Sequence, residues 1–181
     1  MSSRHLVLAV SLALLLLGAA PAGATVLVTP DGQIAPQPYQ SWVDAAYVPT
    51  PPGEVVLSLH GCPGDPEMPA CSPVNQGTIQ LSPEWANRQV LLHELGHIFD
   101  DLMPDWARGR FRGLVTRRQM IWTASNHGGP PNEQFAEAYS LCARQLSVKR
   151  TVYAGYHYSA TPARHRRVCA LINAAGKGFG E

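Results

Sequence analysis

The chain has 181 residues, 45% of them hydrophobic, with 14 Lys/Arg against 13 Asp/Glu. So even a charge balance argues against a protein built to bind nucleic acid or a charged membrane surface. The length suits one domain around one core.

At the N-terminus Met1-Ser2-Ser3-Arg4-His5 precedes an apolar run over residues 6–17 and then Ala22-Gly23-Ala24, the small-x-small pattern that signal peptidase cuts after. The run falls well short of the roughly 20 residues that a membrane-spanning helix requires. Residues 1–24 are therefore read as a signal peptide, and residues 25–181 as the mature domain. Without Arg4 the mature chain is neutral, and it is expected to be secreted or periplasmic, free of the membrane and monomeric. A basic stretch, Arg108, Arg110, Arg112, Arg117 and Arg118, reads as a solvated face.

From residue 25 to about 82 short strands alternate with turns. Strands are expected at residues 26–29, 54–60 and 78–81; Val55, Leu57 and Leu59 alternate with Val56, Ser58 and His60, the period of a half-buried strand. Pro-rich stretches at 48–53 and 62–73 read as loops. Cys62 and Cys71 flank the second loop, and the other cysteines are Cys142 and Cys169. An even number in an exported chain, with no Cys-x-x-Cys spacing, points to two disulfides. Three pairings are possible. The short loop favours Cys62 with Cys71, which leaves Cys142 with Cys169.

Beyond Ser82 the periodicity becomes helical. One helix is expected from Ser82 as N-cap and Pro83 as first residue to just before Pro104, with Trp85, Leu92, Leu95, Phe99 and Leu102 as its apolar residues. A second should run from residue 131 or 132 to about 146. A third is expected with Thr161 as N-cap, Pro162 as first residue and Gly176 just past its end. A small N-terminal sheet followed by three helices makes an α+β domain.

The first helix carries His93-Glu94-Leu95-Gly96-His97. Histidines four residues apart share a helix face and can bind one metal ion. Glu94 lies between them, offset from the ligand stripe, where a carboxylate can take a proton from an activated water. Those roles predict a zinc metallopeptidase, with Zn2+ as cofactor, Glu94 as general base and acid, and a protein or peptide as substrate. A third ligand must come from elsewhere. The metzincin spacing is excluded because Asp100 and Met103 stand where Gly and His would be needed. The open candidates are His127, Glu133, Glu137, His157, Asp100 and Asp101; Glu133 and Glu137 share one helix face. His60, His157 and His165 have no partner at ligand spacing and read as surface or core histidines. Trp42, Trp106 and Trp122 read as core or cleft wall. Residues 78–81 are a candidate edge strand for an extended substrate.

The block His93-Glu94-Leu95-Gly96-His97-Ile98-Phe99-Asp100-Asp101, followed by Asn132-Glu133-Gln134-Phe135-Ala136-Glu137-Ala138-Tyr139, resembles the catalytic domain of anthrax lethal factor and related gluzincin peptidases. The resemblance covers roughly residues 78–175. It implies a zincin-like domain in which Glu133 is the third zinc ligand and Glu137 supports a ligating histidine. In that family a tyrosine seven residues before the ligand glutamate stabilises the oxyanion, whereas this chain has Asn126 there. His127 could donate the hydrogen bond instead, with Tyr153, Tyr156 and Tyr158 as more remote alternatives. Two other readings remain: a zinc-binding module without catalysis, and a zinc hydrolase acting on the peptide cross-links of peptidoglycan.

Overall fold

The computed structural model describes residues 24–65, 67–115, 121–123 and 130–180. The proposed signal peptide, Arg117, Arg118, Asn126 and His127 lie outside them. The fold is α+β, with a four-stranded mixed sheet, five helices and a separate two-stranded hairpin among the described residues.

The sheet contains β1 (Thr25–Val28), β2 (Gly53–Ser58), β3 (Ala70–Cys71) and β4 (Thr78–Leu81) in the order β1-β2-β4-β3. β1, β2 and β4 are parallel, and β3 runs antiparallel to β4. Val55, Leu57, Ile79 and Leu81 point into the core. Residues 78–81 are thus an interior strand; the edge belongs to β3, which lies in a stretch expected to be a loop. Two residues are too few to display a period, so nothing in the sequence announced it. The Cys62–Cys71 disulfide ties β3 to the chain leaving β2.

The helices are α1 (Tyr39–Asp44), α2 (Arg88–Leu102), α3 (Asp105–Val115), α4 (Pro131–Arg144) and α5 (Pro162–Gly176). Five replace the expected three: α1 is a short helix in the strand region, and α3 is the basic stretch, which buries only Ala107 and Phe111. α2 also starts later than expected. Ser82 and Pro83 open a separate 3-10 turn that leaves Trp85 half exposed, and Asn87 caps α2 by accepting the Val90 N–H at 3.1 Å. α4 stops at Arg144, two residues early, whereas Thr161 caps α5 as expected, accepting from the Arg164 N–H. The hairpin β5 (Val152–Tyr153) and β6 (Ser159–Ala160) joins α4 to α5.

α2 packs on the sheet with one face and along α4 with another. Phe99, Phe111, Phe135 and Tyr139 form an aromatic cluster between the helices, with Phe99 and Tyr139 ring centres 5.1 Å apart and Phe111 and Phe135 5.2 Å apart. The Phe111–Phe135 pair meets edge to face, an arrangement that adds about 0.5–1.5 kcal/mol beyond area burial. The second disulfide, Cys142–Cys169, locks α4 to α5.

Candidate metal centre

The approach of α2 to α4 sets the site. A Cβ built on Gly96 would lie 2.9 Å from Ala136 Cα and 3.1 Å from Tyr139 Cβ, so only glycine lets the two backbones come this close. Glu133, in the first turn of α4, reaches across: its Oε2 is 3.2 Å from His93 Nε2 and 3.3 Å from His97 Nε2. One turn on, Glu137 Oε1 lies 3.4 Å from His93 Nδ1, the other ring nitrogen. The backbone of Gly155 fits against this carboxylate so closely that a Cβ there would lie 2.6 Å from Glu137 Oε1.

Charge follows from that geometry. Burial pulls the His93 imidazolium down, but Glu133 and Glu137 outweigh it and raise the pKa to about 9. For Glu133 burial pushes upward, yet His93 and His97 hold it at about 2. Glu94, buried beside both histidines, is raised above the usual carboxylate range by desolvation, against their opposing pull. A carboxylate raised in this way holds a proton more readily than an ordinary one, which suits it to accept and return one.

These side chains fit a metal ion. The donor atoms of His93, His97 and Glu133 all lie within 4.8 Å of one another. His93 Nδ1 and Glu137 Oε2 are buried without a hydrogen-bond partner. Two imidazoles and one carboxylate are a donor set used for catalytic zinc, and a carboxylate beside the second ring nitrogen fixes the tautomer that leaves Nε2 free to ligate. A second cluster, Cys142, His165 and Cys169, has similar proximity, but its two sulfurs are joined in a disulfide and offer no thiolate.

The histidines and Glu94 line a cleft of about 560 Å3. Met68, Pro69, Ala70 and Cys71, on and beside edge strand β3, form one wall, and Trp122 and Tyr156 contribute others. Trp122 is held by a 2.7 Å hydrogen bond from its indole N–H to Asp100, which also accepts from Arg108 at 2.9 Å. Arg108, from the basic stretch, thus helps build the cleft. Asp101, another ligand candidate, accepts from the Asn75 N–H instead. A larger apolar groove of about 730 Å3 between α3 and α5 contains no His, Cys, Asp or Glu.

Of the remaining residues, His60 and His157 are exposed and His165 is fully buried, its Nε2 2.7 Å from the Gln145 carbonyl. Trp42 packs partly buried against the core, and Trp106 is half exposed. Tyr153 is exposed and Tyr158 buried. Tyr156 is at the site. Its ring stacks on His93 at 5.6 Å between centres and 25° between planes. Burial first, and then the charges of Glu133, Glu94 and Glu137, push its hydroxyl pKa up, so it stays a donor. Sequence order gave little sign of this, because Tyr156 arrives on the turn of a hairpin too short to show a pattern. Its nearest signal was Gly155, where a Cβ would press on the Glu137 carboxylate.

No family model matches the chain, and neither does any curated protein or any solved structure.

Proposed function

We propose that the chain is an exported zinc metallopeptidase of the zincin type, with a lethal-factor-like gluzincin site. The observation that carries this reading is the convergence of His93, His97 and Glu133, from α2 and α4, at the floor of a cleft that also holds Glu94. Two disulfides, and no membrane-crossing helix among the described residues, are compatible with an extracellular protein.

His93, His97 and Glu133 would hold the ion, and Glu137, with Oε1 3.4 Å from His93 Nδ1, would orient that imidazole. Zinc bound there supplies acidification of the attacking water and polarisation of the scissile carbonyl. Glu94 takes the proton from that water as the C–O bond forms, then delivers it to the leaving amine as the C–N bond breaks. A protein or peptide substrate fits the cleft because β3 offers a strand edge, unpaired among the described residues, along one wall, where an extended backbone can add as a further strand.

The test uses the zinc-loaded mature chain on a proteome-derived peptide library, with purified peptidoglycan in parallel. Peptide cleavage by wild type, lost in Glu94→Gln at unchanged zinc content, supports the reading. Full activity of Glu94→Gln overturns the mechanism; a zinc-bound wild type that cleaves no peptide overturns the function.

A further inference from the structure

Tyr156 and His157 both adopt left-handed backbone, with φ of 51° and 58° and ψ of 34° at Tyr156. Residues other than glycine rarely do so, because their Cβ crowds the backbone there. The surrounding hairpin holds them in place. The Ala154 N–H donates to the Tyr158 carbonyl at 2.9 Å, the Tyr158 N–H donates to the Gly155 carbonyl at 3.0 Å, and the Tyr158 side chain is buried beneath. The resulting turn sends the Tyr156 ring over His93, into the cleft that holds Glu94 and Glu133. Tyr156 as a residue stays 48% exposed, so it is placed to meet a substrate rather than to fill a core.

Resting on the peptidase reading above, we propose that Tyr156 is a catalytic residue that donates a hydrogen bond from its phenol to the oxyanion formed when water adds to the scissile carbonyl. It replaces a donor that the lethal-factor pattern would place at position 126, where this chain has asparagine, and it comes from the opposite side of Glu133 in sequence. The phenol keeps its proton throughout; the proton balance is carried by Glu94 alone. A preformed donor aimed at developing charge contributes a factor of about 100 to 1,000 in rate.

Tyr156→Phe keeps the ring stacked on His93 and removes only the donor. The expected result is a fall in kcat of about 100-fold with KM within threefold, zinc affinity unchanged, and a matching loss of affinity for a phosphinic analogue of the best-cleaved peptide. Unchanged kcat and unchanged analogue affinity would overturn the assignment. So would a loss of zinc affinity large enough to explain the lost rate, because Tyr156 would then only position Glu133. Tyr156→Ala, which also removes the stacking, should be no slower than Tyr156→Phe by more than a few fold. An inert wild type defeats the peptidase reading itself, a result separate from either of these.

Discussion

Gly96 lies so close to Ala136 that a methyl group on it would come within 2.9 Å of the Ala136 Cα. The obstacle is backbone, so the helices themselves must separate to admit it. Gly96→Ala gains about 1 kcal/mol of helix propensity and loses about 1–3 kcal/mol to overpacking. The second effect wins, and it acts where Glu133 spans the gap. Thermal unfolding should show net destabilisation, and zinc titration a clear loss of affinity. A variant with wild-type zinc affinity would mean that the spacing of α2 and α4 does not set the site.

Glu133 and Glu137 are distinguished by which His93 nitrogen each faces. Glu133→Ala removes a direct donor and should abolish stoichiometric zinc binding. Glu137→Ala removes the partner of Nδ1 and should weaken zinc by about 10- to 100-fold. Metal content after dialysis against graded chelator measures both, and the reverse order would exchange their roles.

Protonation couples to metal binding with a definite sign. In the metal-free protein the His93 pKa of about 9 makes its contribution complete below the ordinary 6.5 and lost as pH rises through about 9. Glu133, lowered to about 2, contributes fully above 4.5 and loses it as pH falls toward 2. The pair therefore stabilises the metal-free fold most between pH 4.5 and 6.5. Zinc needs the neutral imidazole, so at pH 7 it displaces the His93 proton. Calorimetry in buffers of different ionisation enthalpy should record close to one proton released per zinc. Release near zero would show His93 neutral beforehand.

His165 gives the opposite dependence. Its pKa is lowered by burial, against the pull of the Gln145 carbonyl, so its share of stability is present above 6.5 and is lost as pH falls below that. Melting temperature followed downward from pH 7 should decline, and His165→Gln should flatten the decline. An unchanged slope would remove His165 as its source.

The two disulfides should separate stability from function. Cys142–Cys169 closes 27 residues and Cys62–Cys71 closes nine; by loop-closure entropy the first contributes about 3.5 kcal/mol and the second about 2.5–3. Paired Cys→Ala substitution of Cys142 and Cys169 also leaves a hole in the core, so denaturant unfolding should show the larger loss there. Equal losses would contradict this ordering.

The long elements were legible in sequence because they repeat a signal. The capped α5, the periodic faces of α2 and α4 and the alternation in β2 all reached print in the chain itself. The His93 to His97 stripe was equally plain, since it lies within one helix. Elements of two to six residues, β3, α1 and the β5–β6 hairpin, give a period too little length to register. α3 was hidden because its buried face is only Ala107 and Phe111. The joining of α2 to α4 is a tertiary fact resting on a missing side chain at Gly96, which periodicity does not report. Tyr156 is legible in sequence only as one of three remote tyrosines, because a strained turn delivers it to the site and strain has no compositional signature.

The Cys62–Cys71 bridge has a bearing beyond stability. Strand β3 is held to β4 by only two residue pairs, Ala70 with Leu81 and Cys71 with Gln80, and would fray if the covalent tether were opened. In a reducing interior the chain would keep its histidines but lose the order of the cleft wall that Met68 to Cys71 form beside them. On the proposed reading, an exported peptidase tethered in this way would stay unarmed until it had left the compartment where its own cell's proteins are made.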